Sequence, residues 1–371
     1  MKKMVMREIM CAGLVLLGLG QASASDQFPI ATNPAVLEIA GGAVYDGLNY
    51  FIGYVAGTNV YGQLVSQKGE LVGTPSLITS ANIGFPPAVV FAGARTNCLV
   101  VWSDYSKTSG VTIFGRIVIP SGHRAGPTFP MLLSAGAHGF QKVREVASDG
   151  TNYLALWVDA KDAVQGGCYS RLYGQFVTGS GVLTGTEFAI LSGTQIHEDV
   201  ALAFGKTNYL VAWQQEETHD YKHTYCRVVN PTGQMGPVQR ISVTPSLDSN
   251  PLAISFDGTN YLVLWTCSTN YGGPGELMLF GRFVSQGGAP LGDELVIASE
   301  NAGFPAAGFD GANHLVLWTV EAPKPTHTVR GGFVSPAGEI IGPLFTPFVA
   351  VGPMLPCLPT AVCCSRTTSS C

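Results

Sequence analysis

Apolar and polar positions along this chain come in short alternating runs. Stretches rich in Val, Leu, Tyr and Trp are separated by clusters of Gly, Pro, Asn and Asp, and no window of the mature chain sustains a 3.6-residue apolar period. The pattern predicts many short strands joined by turns and no helix.

One phrase recurs. It reads DGLNYFIGY at Asp46 to Tyr54, ARTNCLVVW at Ala94 to Trp102, DGTNYLALW at Asp149 to Trp157, GKTNYLVAW at Gly205 to Trp213, DGTNYLVLW at Asp257 to Trp265 and DGANHLVLW at Asp310 to Trp318. The asparagines at its centre are separated by 48, 55, 56, 52 and 53 residues, near the period of propeller blades. Each copy has a second half, such as GQLVSQKGELVG from Gly62, GRFVSQGGAPLG from Gly281 and GGFVSPAGEIIG from Gly331. A full unit is therefore four strands. An apolar strand ends at Asp-Gly, a residue pair that favours a tight hairpin. The NYLVLW strand, the GRFV strand and a last one, as at Phe188 to Ser192 or Leu295 to Ser299, follow.

A four-stranded sheet of this kind has two faces to bury and must pack between neighbours. Six units predict an all-β fold, a six-bladed β-propeller of four-stranded antiparallel blades over residues 25–352. The expected closure is a pairing of N- and C-terminal strands. Asp26 to Thr32 resembles the fourth strand at Asp293 to Ser299, and Gly342 to Val349 competes for the same place. Trp102, Trp157, Trp213, Trp265 and Trp318 read as core residues between sheets, and the repeated Asp and Asn as turn-builders. DGTN has too few oxygen donors for a calcium loop.

The DGTNYLVLW and GRFVSxxG repeats resemble the tandem repeats of secreted bacterial β-propeller proteins. The resemblance covers about Asp26 to Gly342. It implies the fold and carries no activity and no catalytic motif. The paired GH and WD dipeptides of WD40 blades and the SxDxGxTW box of sialidases are absent.

Composition adds the compartment. Lys2, Lys3 and Arg7, the apolar run Cys11 to Leu19 and the small residues Ala22-Ser23-Ala24 make residues 1–24 a signal peptide, and the expected location is secreted. No segment reads as a transmembrane span. The whole chain has 20 basic and 25 acidic residues, and a net negative charge excludes nucleic acid as the expected partner. Eight of the nine cysteines remain after the signal. Cys226 and Cys267 fall near the upper ends of neighbouring strands, a placement that permits a bridge in an oxidising compartment. Residues 353–371, with Cys357, Cys363, Cys364 and Cys371, read as an irregular Cys-rich tail.

Candidate chemistry lies on one face. The connections from the second to the third strand differ in every blade: Ser103 to Val111, Val158 to Tyr169, Gln214 to His223, Thr266 to Glu276 and Thr319 to His327. Variable loops on a repeated frame are the usual place for binding. The expected ligand-binding residues there are Asp104, Tyr105, Asp159, Tyr169, Arg171, Glu198, Glu216, His219, Asp220, Tyr221 and His223. His138, Gln141, His197, Asp199 and Asn250 stand nearer the axis. The densest stretch is EETHDYKH, from Glu216 through Glu217 to His223. His219 and His223 with His197 are the residue types of a zinc or copper site, but their spacing matches no metal motif, so no metal and no cofactor is expected. The reading these residues carry furthest is a non-catalytic binding propeller for a glycan or an extracellular protein. The alternative is a carbohydrate-active hydrolase or lyase using acids such as Asp104 with Asp159 or Glu198 with Glu216.

Overall fold

A computed structural model describes residues 38–81, 89–93, 97–106, 110–119, 124–132, 141–159, 170–218, 221–247, 252–268, 277–321 and 326–351. The signal peptide, Asp26 to Thr32 and the 353–371 tail lie outside the described residues, as do Tyr169, His219 and Asp220.

The described chain is a six-bladed β-propeller. Blade one is β1 (Glu38–Tyr45), β2 (Asn49–Ala56), β3 (Asn59–Ser66) and β4 (Leu71–Ser80). Blade two is β5 (Val89–Gly93), β6 (Cys98–Ser106), β7 (Gly110–Ile119) and β8 (Arg124–Leu132). Blade three is β9 (Gln141–Ser148), β10 (Asn152–Asp159), β11 (Ser170–Thr178) and the first half of β12 (Leu183–Phe204). Blade four takes the second half of β12, then β13 (Tyr209–Thr218), β14 (Tyr221–Val229) and β15 (Gln239–Arg240). Blade five is β16 (Leu252–Phe256), β17 (Asn260–Ser268), β18 (Leu277–Ser285) and β19 (Pro290–Ala298). Blade six is β20 (Ala302–Phe309), β21 (His314–Glu321), β22 (Thr326–Val334) and β23 (Ile340–Val351). Every pairing is antiparallel between consecutive strands, and β12, shared by two blades, joins them into one seven-stranded sheet. The first strands touch in succession, β1 to β5 to β9 to β12 to β16 to β20, so they surround the axis. No helix occurs among the described residues, so none of them forms a helix long and apolar enough to cross a membrane.

The repeated residues do the work their chemistry predicts. In the turn between first and second strands, Oδ1 of Asp46, Asp149, Asp257 and Asp310 accepts the backbone N–H groups two and three residues on, at 2.6–2.9 Å. The glycine after each aspartate has a φ between +92° and +106°, which a side chain would strain. The five tryptophans are at most 1% exposed. Trp102, Trp157, Trp213 and Trp265 stack on Phe114, Tyr173, Tyr225 and Phe280 of the adjacent third strand, with ring centroids 6.0–6.3 Å apart. Each tryptophan sits in an apolar cluster shared by two consecutive blades.

Two polar devices tie blade to blade. The first buried residue of the second strand reaches back to the preceding turn: Tyr153 donates to Asn97 Oδ1 at 2.6 Å, and Tyr261 donates to the Asn208 carbonyl. Arginines of the third strand form the other. Arg116, Arg227 and Arg282 donate to the Ile78, Ile190 and Ile241 carbonyls of the preceding blade's outer segment. Arg282 also holds the Gly292 carbonyl of its own blade, and Gln63 and Gln175, at the same repeat position, stay within theirs.

Of the two segments competing for the fourth place in blade six, Gly342 to Val349 fills it as part of β23, and a pairing of N- and C-terminal strands is not shown among the described residues. Two expectations are corrected. Cys226 and Cys267 are unbridged: the Cys226 thiol lies 3.7 Å from the Gly288 carbonyl and the Cys267 thiol 3.3 Å from that of Pro245, on different turns. Finally, Gln214 to His223 is not a loop throughout. Antiparallel pairing continues past Trp213, with one irregularity between Glu216 and Thr218, so only positions 219 and 220 lie between β13 and β14.

Replacing Arg282 by Gln should keep the bond within blade five and lose the one to Ile241. We expect a loss of about 1.5–3 kcal/mol in urea unfolding, the range for a hydrogen bond from a charged group. An unchanged midpoint would show that the arginine contributes nothing across the seam.

Candidate functional site

The strand register gathers a polar cluster at the upper end of blade four. Tyr225 pairs with Trp213 on one side and Arg240 on the other, and His223 pairs with Gln215. Paired residues share a face of the sheet. Trp213 belongs to the core between blades three and four, so these side chains stand on the face toward blade three.

Glu217 is the hub. Its Oε1 accepts the Tyr225 hydroxyl and lies 3.6 Å from an Arg240 guanidinium nitrogen, while its Oε2 lies 3.8 Å from His223 Nε2. The hydrogen bond from Tyr225 is the largest influence holding the Glu217 carboxyl below its ordinary range, with His223 and Arg240 acting in the same direction against desolvation. His223 is buried, and burial lowers its pKa against the pull of Glu217. Ser242 Oγ accepts the Thr224 N–H at 2.8 Å and lies 3.1 Å from His223 Nδ1, so the serine bridges the ring and the backbone of β14. The segment after β15 is pinned as well: Glu294 of blade five accepts the backbone N–H groups of Val243 and Thr244 and the Thr244 hydroxyl.

The other expected site residues are distributed along blades two to four. Asp104 and Tyr105 are half-buried at the end of β6. Asp159 is 6% exposed and accepts a hydrogen bond from Gln141 Nε2 at 3.0 Å; Arg171 lies across from it in the register and is exposed. Glu216 pairs with Lys222, and Tyr221 is exposed beside the hub. Glu198 lies in β12, with its side chain outside the described residues. Three partners of the hub were not singled out from sequence: Tyr225, Arg240 and Ser242. A signal existed for Arg240, since the equivalent outer-strand positions hold Leu77, Ala189 and Val296.

A second departure from the repeat is Glu145. It lies in β9, on the innermost ring, where the equivalent positions hold Gly42, Val90, Ala201, Ala253 and Ala306. Glu145 is half-buried, and enclosure by the inner strands pushes its carboxyl up to about 8, with Arg144 beside it acting the other way. Among the described residues, no group of three His, Cys, Asp or Glu side chains is arranged to hold a metal.

Two pH effects follow. Tyr225→Phe should move the Glu217 carboxyl up toward 4.5, read by carboxyl NMR titration; an unmoved value would remove Tyr225 from the hub. A raised carboxyl pKa binds its proton more tightly in the fold, so Glu145 costs stability as pH rises from 4.5 to about 8. Glu145→Gln should therefore raise the melting temperature at pH 8 more than at pH 5, and equal shifts at both would contradict its enclosure.

No family model matches this chain, and no curated protein matches it. Solved structures do. A protein of unknown function from Dyadobacter fermentans aligns at 10% identity over 80% of this chain and 93% of that one, with a TM-score of 0.50. A prolyl endopeptidase aligns at 12% identity over 88% of this chain and 44% of that one, TM-score 0.49, so this chain spans less than half of that enzyme's length. The β-propeller domain of the Trilobed protease from Pyrococcus furiosus aligns at 10% identity over 84% of this chain and 98% of that one, TM-score 0.42. At these identities the likeness is one of fold alone.

Proposed function

We propose that this propeller is a non-catalytic, extracellular binding module that presents the upper ends of blades two to four to a glycan or an extracellular protein. The signal-peptide pattern of residues 1–24 supports the compartment. The carrying observation is the state of Glu217. A carboxylate that accepts from Tyr225, faces Arg240 and His223 and is held ionised is a fixed acceptor, not a proton donor. Glycoside hydrolysis needs one carboxyl kept protonated and a second across a cleft. Fixed charges beside the exposed ring of Tyr221 match instead the hydroxyl edges and apolar face of a sugar, which favours a glycan over a protein.

One observation favours a hydrolase as the second reading. Glu145 is a carboxyl pushed up to about 8 on the innermost ring, and a protonated carboxyl at neutral pH is what a general acid requires.

The test is a glycan array and a hydrolysis screen of the mature chain, with Glu217→Gln, Arg240→Ala and Glu145→Gln run alongside. Saturable binding without turnover, weakened about tenfold or more by either hub variant, is the expected result, the loss of one charged hydrogen bond. Turnover abolished by Glu145→Gln would replace this reading with the hydrolase. Binding that ignores both hub variants would move the site elsewhere on the ring.

A further inference from the structure

Blade six departs from the repeat at three positions that face its neighbours. At the third-strand position of Arg116, Arg227 and Arg282 it has Gly332, which offers no side chain to blade five. Opposite Trp318, where four blades stack an aromatic ring, stands Arg330, ion-paired with Glu300 at 3.4 Å. In the place of Tyr153, Tyr209 and Tyr261 stands His314. On its other side, Gln63 of blade one keeps its amide within blade one.

The apolar cores repeat this division. Five seams each hold one cluster drawn from both blades. Among the described residues, the facing side chains of blades one and six form two separate clusters, around Tyr50, Ile52 and Tyr54 and around Leu315, Leu317 and Val329. The backbone entering blade six is strained too: Asn301 at φ 53° and Phe304 at φ 45° are the non-glycine residues with positive φ among the described residues.

We propose that blade six is the releasable leaf of this ring, and that acid loosens its seam with blade five through His314. The imidazole is fully buried. Its Nδ1 lies 2.9 Å from Ser255 Oγ, its Nε2 lies 3.7 Å from Asp257 Oδ2, and the rings of Phe283 and Phe309 close over it. Asp257 and Asp310 are the charged groups that face it. Ser255, His314 and Asp257 are residue types of a hydrolytic triad, but all are buried in the seam and so have no route to substrate. Burial is the dominant influence and lowers the His314 pKa, against Asp257 and then Asp310. The ring is therefore neutral in the folded seam, while the released blade takes up a proton near the ordinary value of 6.5. The seam has its full strength above that value and weakens as pH falls below it. This does not depend on what the upper face binds.

Hydrogen exchange of the mature chain, expressed as protection factors at about pH 7 and about pH 5.5, tests both parts. Amides of β20 to β22 should be about tenfold or more less protected than those of β16 to β18, and the gap should widen at the lower pH. His314→Tyr, which restores the residue of blades one, three, four and five, should abolish the widening. Gly332→Arg, which supplies the missing arginine, should raise protection of blade six at both pH values; the added Cβ is crowded by the flexible end of Leu344 at 2.8 Å and touches the Trp318 ring at ordinary contact distance, 3.7–3.8 Å. His223 also titrates, but its effect would fall on blade four and is separated by position. Equal protection of all blades would overturn the releasable leaf. Widening that persists in His314→Tyr would overturn the role of His314.

Discussion

Everything in this molecule follows from sheets that are apolar on both faces. A four-stranded blade such as β16 to β19 carries Leu262 and Leu264 toward one neighbour and Val263 and Trp265 toward the other. Neither face is stable in water, and each buried aromatic or aliphatic side chain is worth about 1.5–3 kcal/mol only when the next sheet covers it. The ring satisfies this demand without a separate core. The tryptophan at a fixed place in five blades sets the spacing of the sheets, and the aspartate turns and third-strand arginines set how they are aligned.

The repeat also explains where chemistry is found. A residue that obeys the repeat is accounted for by packing, so those that break it at buried or half-buried positions need another reason. Arg240, His223 and Glu145 on blades three and four, and His314 and Gly332 on blade six, are such breaks. Each places a polar group, or removes one, where its counterparts serve the frame. The first group makes a charged cluster on a rim. The second makes a polar seam.

The fold was legible because six copies of one phrase fix strand length, turn and core position together. DGTNYLVLW names its own turn, and its tryptophan names its own core. The site was legible only as a region. Glu216, Glu217, His223 and Tyr221 stand in one conspicuous stretch, yet in sequence the stretch reads as a loop because its polar residues hide a strand pattern that continues through pairing with β14. Arg240 and Ser242 come from a two-residue strand and the turn after it; Arg240 stands out only once register aligns it with Leu77, Ala189 and Val296, and register alone brings the two beside Tyr225 and His223. Ring closure was left open for a different reason. Two segments of one chain carried the same fourth-strand pattern, and pattern alone does not rank competitors for one edge.

The two groups of departures fall on opposite sides of the ring, and the continuity of the chain gives this meaning. β12 runs unbroken from the outside of blade three to the inside of blade four, so these two blades form one seven-stranded sheet and share one core. The cluster around Glu217 faces that junction, the one seam among the described residues that is reinforced by a shared strand as well as by an arginine, Arg227. A binding site gains from rigid support, because groups already held in place lose little freedom when a ligand arrives. Blade six, two places round the ring from blade four and three from blade three, has neither the shared strand nor the arginine. Loosening there would leave the Glu217 cluster undisturbed, so the fold separates the part that must stay fixed from the part that can give.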